Sequence, residues 1–121
     1  MRADPTPVLA ERPSGSVSVG VAYILQVPSG RVVFRRHAWE RMESRGVSVS
    51  DVLHVLNSGE QIEPYPDDTP FPSALMLARV SERPLHVVAA RDTANDVTYV
   101  VTAYEPDPNE WDAEFRRRRS P

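Results

Sequence analysis

The chain has 121 residues, 40% of them hydrophobic and 26% charged, with no cysteine and a formal net charge of −3. That length fits one domain with a real core, and the absence of cysteine excludes disulfides and thiol chemistry. The isoelectric point near 5.6 argues against unspecific nucleic-acid binding over the whole surface. No apolar run approaches the roughly 18 residues that a membrane span needs.

Residues 1–15, "MRADPTPVLAERPSG", hold three prolines and little apolar content, which predicts a flexible leader. They lack the apolar core of a secretory signal, so a cytoplasmic location without membrane attachment is expected. From residue 16 onward the expectation is a single domain. "VSVGVAYILQV" (17–27) alternates as a strand does, "PSG" (28–30) is a turn, and "RVVF" (31–34) is a second short strand, giving an N-terminal β-hairpin.

His37 to Arg45 reads as a helix with Ala38, Trp39 and Met42 as its apolar stripe and Gly46 as its stop. "SVSDVLHVLNSGE" follows as a second helix, N-capped by Ser48 or Ser50, buried through Val52, Leu53 and Leu56, and ended by Gly59. "QIEPY" (61–65), "SALMLARV" (73–80), "PLHVVAAR" (84–91) and "VTYVVTAY" (97–104) are strands of an antiparallel meander, the last two central because both their faces are apolar. In "DPNEW", Asp107 as N-cap, Pro108 at the first helical position and Glu110 two further on predict a short C-terminal helix docked by Trp111 and Phe115. The class is α+β: two helices on a sheet of about four antiparallel strands.

All fourteen basic residues are arginine. Helical spacing lines up His37, Arg41 and Arg45 at the margin of the apolar stripe. Arginines there either cover apolar neighbours with their stems or present a fork to phosphate or carboxylate. His37, at a helix start, either bonds nearby backbone or moves protons. His86 shares a strand face with Val88 and Ala90, opposite Leu85, Val87, Ala89 and Arg91; it is either a satisfied core residue or a catalyst. Thr98, Val100, Thr102 and Tyr104 are expected on one face, with Tyr104 at the strand end as a substrate contact, a general acid or a rim aromatic. Tyr65 is available for stacking a base or for packing. His54 reads as surface, and the run "FRRRR" (115–119) as a solvated end or a contact for nucleic acid or an acidic partner. Asp67 and Asp68 lack further ligands at metal spacing, so neither a metal nor a cofactor is expected.

"HAWERMESRGVSVSDVLHVLNSGEQIEPYPDD", then "RPLHVVAA" and "VTYVVTAYEPDPNEW", resemble the bacterial domain-of-unknown-function family 4258 over roughly residues 32–113. That family resembles part of the RelE/ParE-like toxin superfamily, two helices followed by a curved antiparallel sheet. The resemblance implies a toxin of a type II toxin–antitoxin pair that cleaves messenger RNA without a metal. Its partners would be RNA and an antitoxin, in this family often a small zinc-finger protein. In such an endoribonuclease His37 or His86 would activate the ribose 2′-hydroxyl, and Tyr104 or the other histidine would protonate the leaving oxygen. Arg41 and Arg91 would stabilise the phosphate, while Tyr65 and Arg45 would hold the strand. The competing expectation is a non-catalytic protein- or nucleic-acid-binding module on the same fold. Convergence of His37, Arg41, His86 and Tyr104 on an open positive cleft would favour the enzyme; histidines sealed beneath Trp39 and Trp111 would favour the module.

Overall fold

A computed structural model describes residues 8–9, 21–27 and 30–119. Its elements in chain order are β1 (Val8–Leu9), β2 (Val21–Val27), β3 (Gly30–Arg35), α1 (Arg36–Arg45), α2 (Val49–Ser58), β4 (Glu60–Tyr65), β5 (Ser73–Val80), β6 (Arg83–Asp92) and β7 (Val97–Tyr104). The class is α+β. The strands form a seven-stranded sheet in the order β1-β2-β3-β7-β6-β5-β4, mixed rather than antiparallel because β3 lies parallel to β7. Strands therefore precede as well as follow the helices. β1 falls within the expected leader, the rest of which lies outside the described residues, as do residues 17–20 and 28–29 of the expected hairpin.

Local chemistry explains both helices. Gly46 sits at φ 68°, where a side chain would be strained, and Val47 donates its N–H to the Met42 carbonyl at 2.9 Å, closing α1. Ser48 caps α2: its hydroxyl accepts from the Asp51 N–H and the Asp51 carboxylate accepts from the Ser48 N–H, both at 3.0 Å. Ala38, Met42, Val52 and Val55 from the helices bury against Val32, Phe34, Leu85, Val87, Val100 and Ala103 of the sheet. Among the described residues no helix is long and apolar enough to cross a membrane.

Two expectations need correction. Val88 pairs with Thr102 while Ala89 pairs with Val100, so Val101 is a bulge. The extra residue reverses the alternation. Val100 and Ala103 join the helix-side core, and Thr102 and Tyr104 turn to the opposite face. The C-terminal helix does not form either. Asp107 starts a turn, accepting from Asn109, Glu110 and Trp111 N–H groups at 2.8, 2.9 and 3.2 Å. Asp112 then takes the Glu114 and Arg116 N–H groups on its side chain, and Phe115 adopts φ 63°. Those N–H groups are lost to a helix, and the chain folds back so that Trp111 bridges to Arg118. Residues 105–119 thus cross the sheet end as a strap.

Candidate functional site

The bulge at Val101 and the strap build one site between them. His86 on β6 stands opposite Tyr104 on β7, and its ring is 0% exposed. Trp111, 2% exposed, meets that ring edge-on at a centroid distance of 4.5 Å. His86 Nε2 lies 2.9 Å from the Phe115 carbonyl oxygen and Nδ1 lies 3.3 Å from the Tyr104 hydroxyl. A carbonyl only accepts, so Nε2 carries the proton and donates it. In the neutral ring Nδ1 is then an acceptor, and the Tyr104 O–H points inward to it. Burial holds the His86 pKa below the usual histidine value, against the pull of the Phe115 carbonyl; burial likewise raises that of Tyr104. Both groups stay neutral near pH 7.

Outside this pair lies an open groove of about 480 Å³ lined by Arg45, Tyr104, Glu105, Asp107, Glu110, Trp111 and Arg118. Arg45 reaches it from the end of α1 and donates through Nη1 to the Ala103 carbonyl at 2.9 Å. Arg118 stacks over Trp111 at 4.6 Å and pairs with Glu63 at 3.2 Å. Arg83 closes the same end of the molecule, donating to the Gly46 carbonyl at 3.1 Å and lying 3.4 Å from Asp51 and 3.9 Å from Glu105. Three carboxylates face two guanidiniums along the groove, so it is not a positive cleft.

The other expected site residues lie elsewhere. His37 is at the far end of α1 from Arg45, eight residues or about 12 Å along the axis. Its side chain is 87% exposed, with Glu40 at 3.9 Å. Arg41 is exposed and makes no side-chain hydrogen bond or ion pair among the described residues. Tyr65 is half-buried on β4, donates to the Glu63 carboxylate at 2.6 Å and lies within hydrogen-bond reach of Arg118, so it stands just behind the groove wall without lining the groove. Arg91 shares the helix-side face with Thr98, to whose hydroxyl it donates at 2.9 Å, and pairs with Asp96. It is on the other side of the sheet from His86. Of seven expected residues, the fold joins His86, Tyr104 and Arg45. His37 and Arg41 fall away because helical alignment shares a face but not an end. Arg91 falls away because strand alternation turns it from its neighbour His86.

Sequence reasoning missed Glu105, Asp107 and Glu110 as groove walls and Arg118 as a stacked, paired side chain. The alternation of charge in "EPDPNEW" against "RRRR" was the available signal, and the expected helix hid it. Among the described residues no group of three or more histidine, aspartate or glutamate side chains is placed to hold a metal ion.

No curated protein and no solved structure matches the chain. The family model described as "Domain of unknown function (DUF4258)" matches residues 34–105, from the last core position of β3 to the residue after Tyr104. That span covers more than half of the sequence and contains the His86–Tyr104 pair, and the chain belongs to this family.

Proposed function

We propose that this chain is a non-catalytic protein-binding module on a RelE/ParE-like toxin fold, one half of a toxin–antitoxin-type pair. The order of two helices followed by antiparallel β4–β7 supports that fold reading. One observation carries the non-catalytic part: both nitrogens of His86 are engaged beneath Trp111, and the only proton Tyr104 has to give is directed into that same ring. A general acid must offer its proton to the substrate side, and a general base a free lone pair. Neither is on offer in the groove. The balance of carboxylates and guanidiniums there suits a protein surface better than a polyanion.

A second reading is a metal-independent endoribonuclease of the toxin kind, and one observation favours it. Tyr104 lines the groove in the electrostatic reach of both Arg45 and Arg118. For catalysis the Tyr104 O–H would have to leave His86 and turn outward, with the two arginines holding the phosphate. His37, Arg41, Tyr65 and Arg91 would take no part. Induced expression followed by growth measurement and mapping of RNA 5′ ends separates the two. The module predicts intact RNA from a well-folded protein. New 5′ ends that disappear in Tyr104→Phe, with the variant still folded and expressed at matched soluble levels, would establish the nuclease instead.

A further inference from the structure

The groove beside His86 and Tyr104 holds more open acceptors than open donors. Of its two guanidiniums, Arg118 is committed: it stacks over Trp111 at 4.6 Å, pairs with Glu63 at 3.2 Å and lies in hydrogen-bond reach of Tyr65. Arg45 gives Nη1 to the Ala103 carbonyl at 2.9 Å and pairs with no carboxylate among the described residues. The carboxylates are freer. Glu105 meets Arg83 at 3.9 Å, and Arg83 is shared with Asp51. Asp107 accepts a backbone N–H of its own turn, and the exposed Glu110 has no side-chain contact of this kind; neither forms an ion pair among the described residues. The Tyr104 hydroxyl adds to the same side. Its hydrogen goes to His86 Nδ1, because the proton of that ring sits on Nε2 and goes to the Phe115 carbonyl. The Tyr104 oxygen, in the electrostatic reach of Glu110 and Arg45, has lone pairs alone left to offer.

We infer that the groove receives an arginine side chain of the partner protein, an inference that rests on the binding-module reading and gives it a partner chemistry. Three carboxylates and a hydroxyl oxygen face one uncompensated cation, Arg45, so the complement is a positive group rich in N–H donors. A guanidinium meets acceptors in several directions with its rigid fork of N–H groups, where an ammonium is a compact, strongly hydrated point charge. Arginine is also enriched in protein interfaces and lysine depleted. The space agrees: about 480 Å³ falls within the roughly 300–1,000 Å³ of clefts that enclose a ligand, room for the side chain and the backbone that carries it.

Nα-acetylarginine amide is the probe, titrated into the full chain at constant ionic strength and followed by chemical-shift perturbation. Nα-acetylcitrulline amide and Nα-acetylglutamate amide serve as comparisons. Saturable shifts are expected at Arg45, Tyr104, Glu105 and Glu110, with a dissociation constant on the order of millimolar. Citrulline keeps the shape and loses the charge, and should bind weaker by a factor of about five or more. The glutamate derivative should not saturate. Glu110→Gln, at an exposed position outside any ion pair, should weaken the arginine probe by a factor of about three or more at an unchanged melting temperature. Tyr104→Phe keeps the ring and removes the lone pairs, and should weaken it by a factor of about two or more in a chain that is still folded. Citrulline binding as well as arginine, unchanged arginine affinity in either variant, or shifts spread over the surface without saturation would overturn the inference. With RNA intact, any of those results refutes the arginine and leaves the module reading standing. New RNA 5′ ends from the expressed protein would instead sink the module reading, and the partner with it, even where the titration succeeds.

Discussion

His86, in "PLHVVAA" within the span that the family model matches, is completely buried, and its hydrogen bonds decide what it can do. Truncation in His86→Ala leaves the Phe115 carbonyl and the Tyr104 hydroxyl without their partner and opens a void beneath Trp111. A loss of about 3 kcal/mol in urea unfolding is expected from those two effects together. Tyr104→Phe removes only one hydrogen bond, at 3.3 Å, and should cost about 1 kcal/mol. A pH dependence follows from burial. The folded-state pKa of His86 is lowered, so the unfolded chain binds the extra proton first as pH falls. Its contribution is complete above the unfolded value near 6.5 and is lost as pH drops from there toward the folded value. Stability should therefore decline on acidification from pH 7 to 5, by at most about 1.4 kcal/mol per unit from this one group. That slope should vanish in His86→Gln when chemical denaturation is repeated across the range. Glu60, whose carboxylate the Arg116 guanidinium holds below its usual value, acts only at lower pH and does not confuse the measurement.

At the scale of elements, α2 is the clearest case of local chemistry choosing a boundary. Ser48→Ala removes the reciprocal cap with Asp51, and about 1 kcal/mol of stability should go with it, read as a drop of several degrees in melting temperature. In "SVSD" the cap was legible only as Ser48 or Ser50, and the partner Asp51 decides for Ser48; the stop of α1 was legible in Gly46, because such signals lie within one turn of the boundary. Strands β5 and β7 were legible end to end for a similar reason: turn residues bound an apolar run. Three features were not legible. A bulge at Val101 depends on which residue of β6 stands opposite, and the sequence of β7 alone, apolar on both faces, carries no mark of where the faces switch. The "DPNEW" helix start is genuine as far as Trp111, but Asp112 and the pairing back to Arg118 outcompete its continuation. The parallel pairing of β3 with β7 joins segments with no local signal for each other. The candidate site suffered most, since its convergence depends on the bulge and the strap together.

On the scale of the whole molecule, the sheet is covered on one side by α1 and α2 and at one end of the other side by the strap. Two kinds of contact fasten the strap. Arg116 pairs with Glu60 at 2.8 Å and Arg118 with Glu63 at 3.2 Å, all reaching solvent, while Trp111 is buried on His86. Exposed ion pairs are weak and screened by salt, whereas burying an indole removes a large apolar area from water. Raising the salt concentration should therefore leave the urea midpoint almost unchanged. Trp111→Ala should lower stability by about 3 kcal/mol or more and increase protease cleavage within residues 105–119. A strong salt dependence with a mild effect of Trp111→Ala would reverse that order of importance.

The parallel pair also bears on how the chain is born. Arg31 meets Val97 and Phe34 meets Val100, so partners in the middle of the sheet are 66 residues apart in the sequence. During synthesis β3 leaves the ribosome long before β7 exists, and its buried Val32, Val33 and Phe34 have no strand on that side to pair with. Both helices and β4 to β6 can emerge, but the sheet stays in two pieces until the last strand arrives and joins them. Contacts of such long separation slow folding and leave an unpaired edge on each half-sheet in the meantime. A released chain truncated just short of residue 97 is expected to expose both edges at once, and to associate through them where the full chain does not.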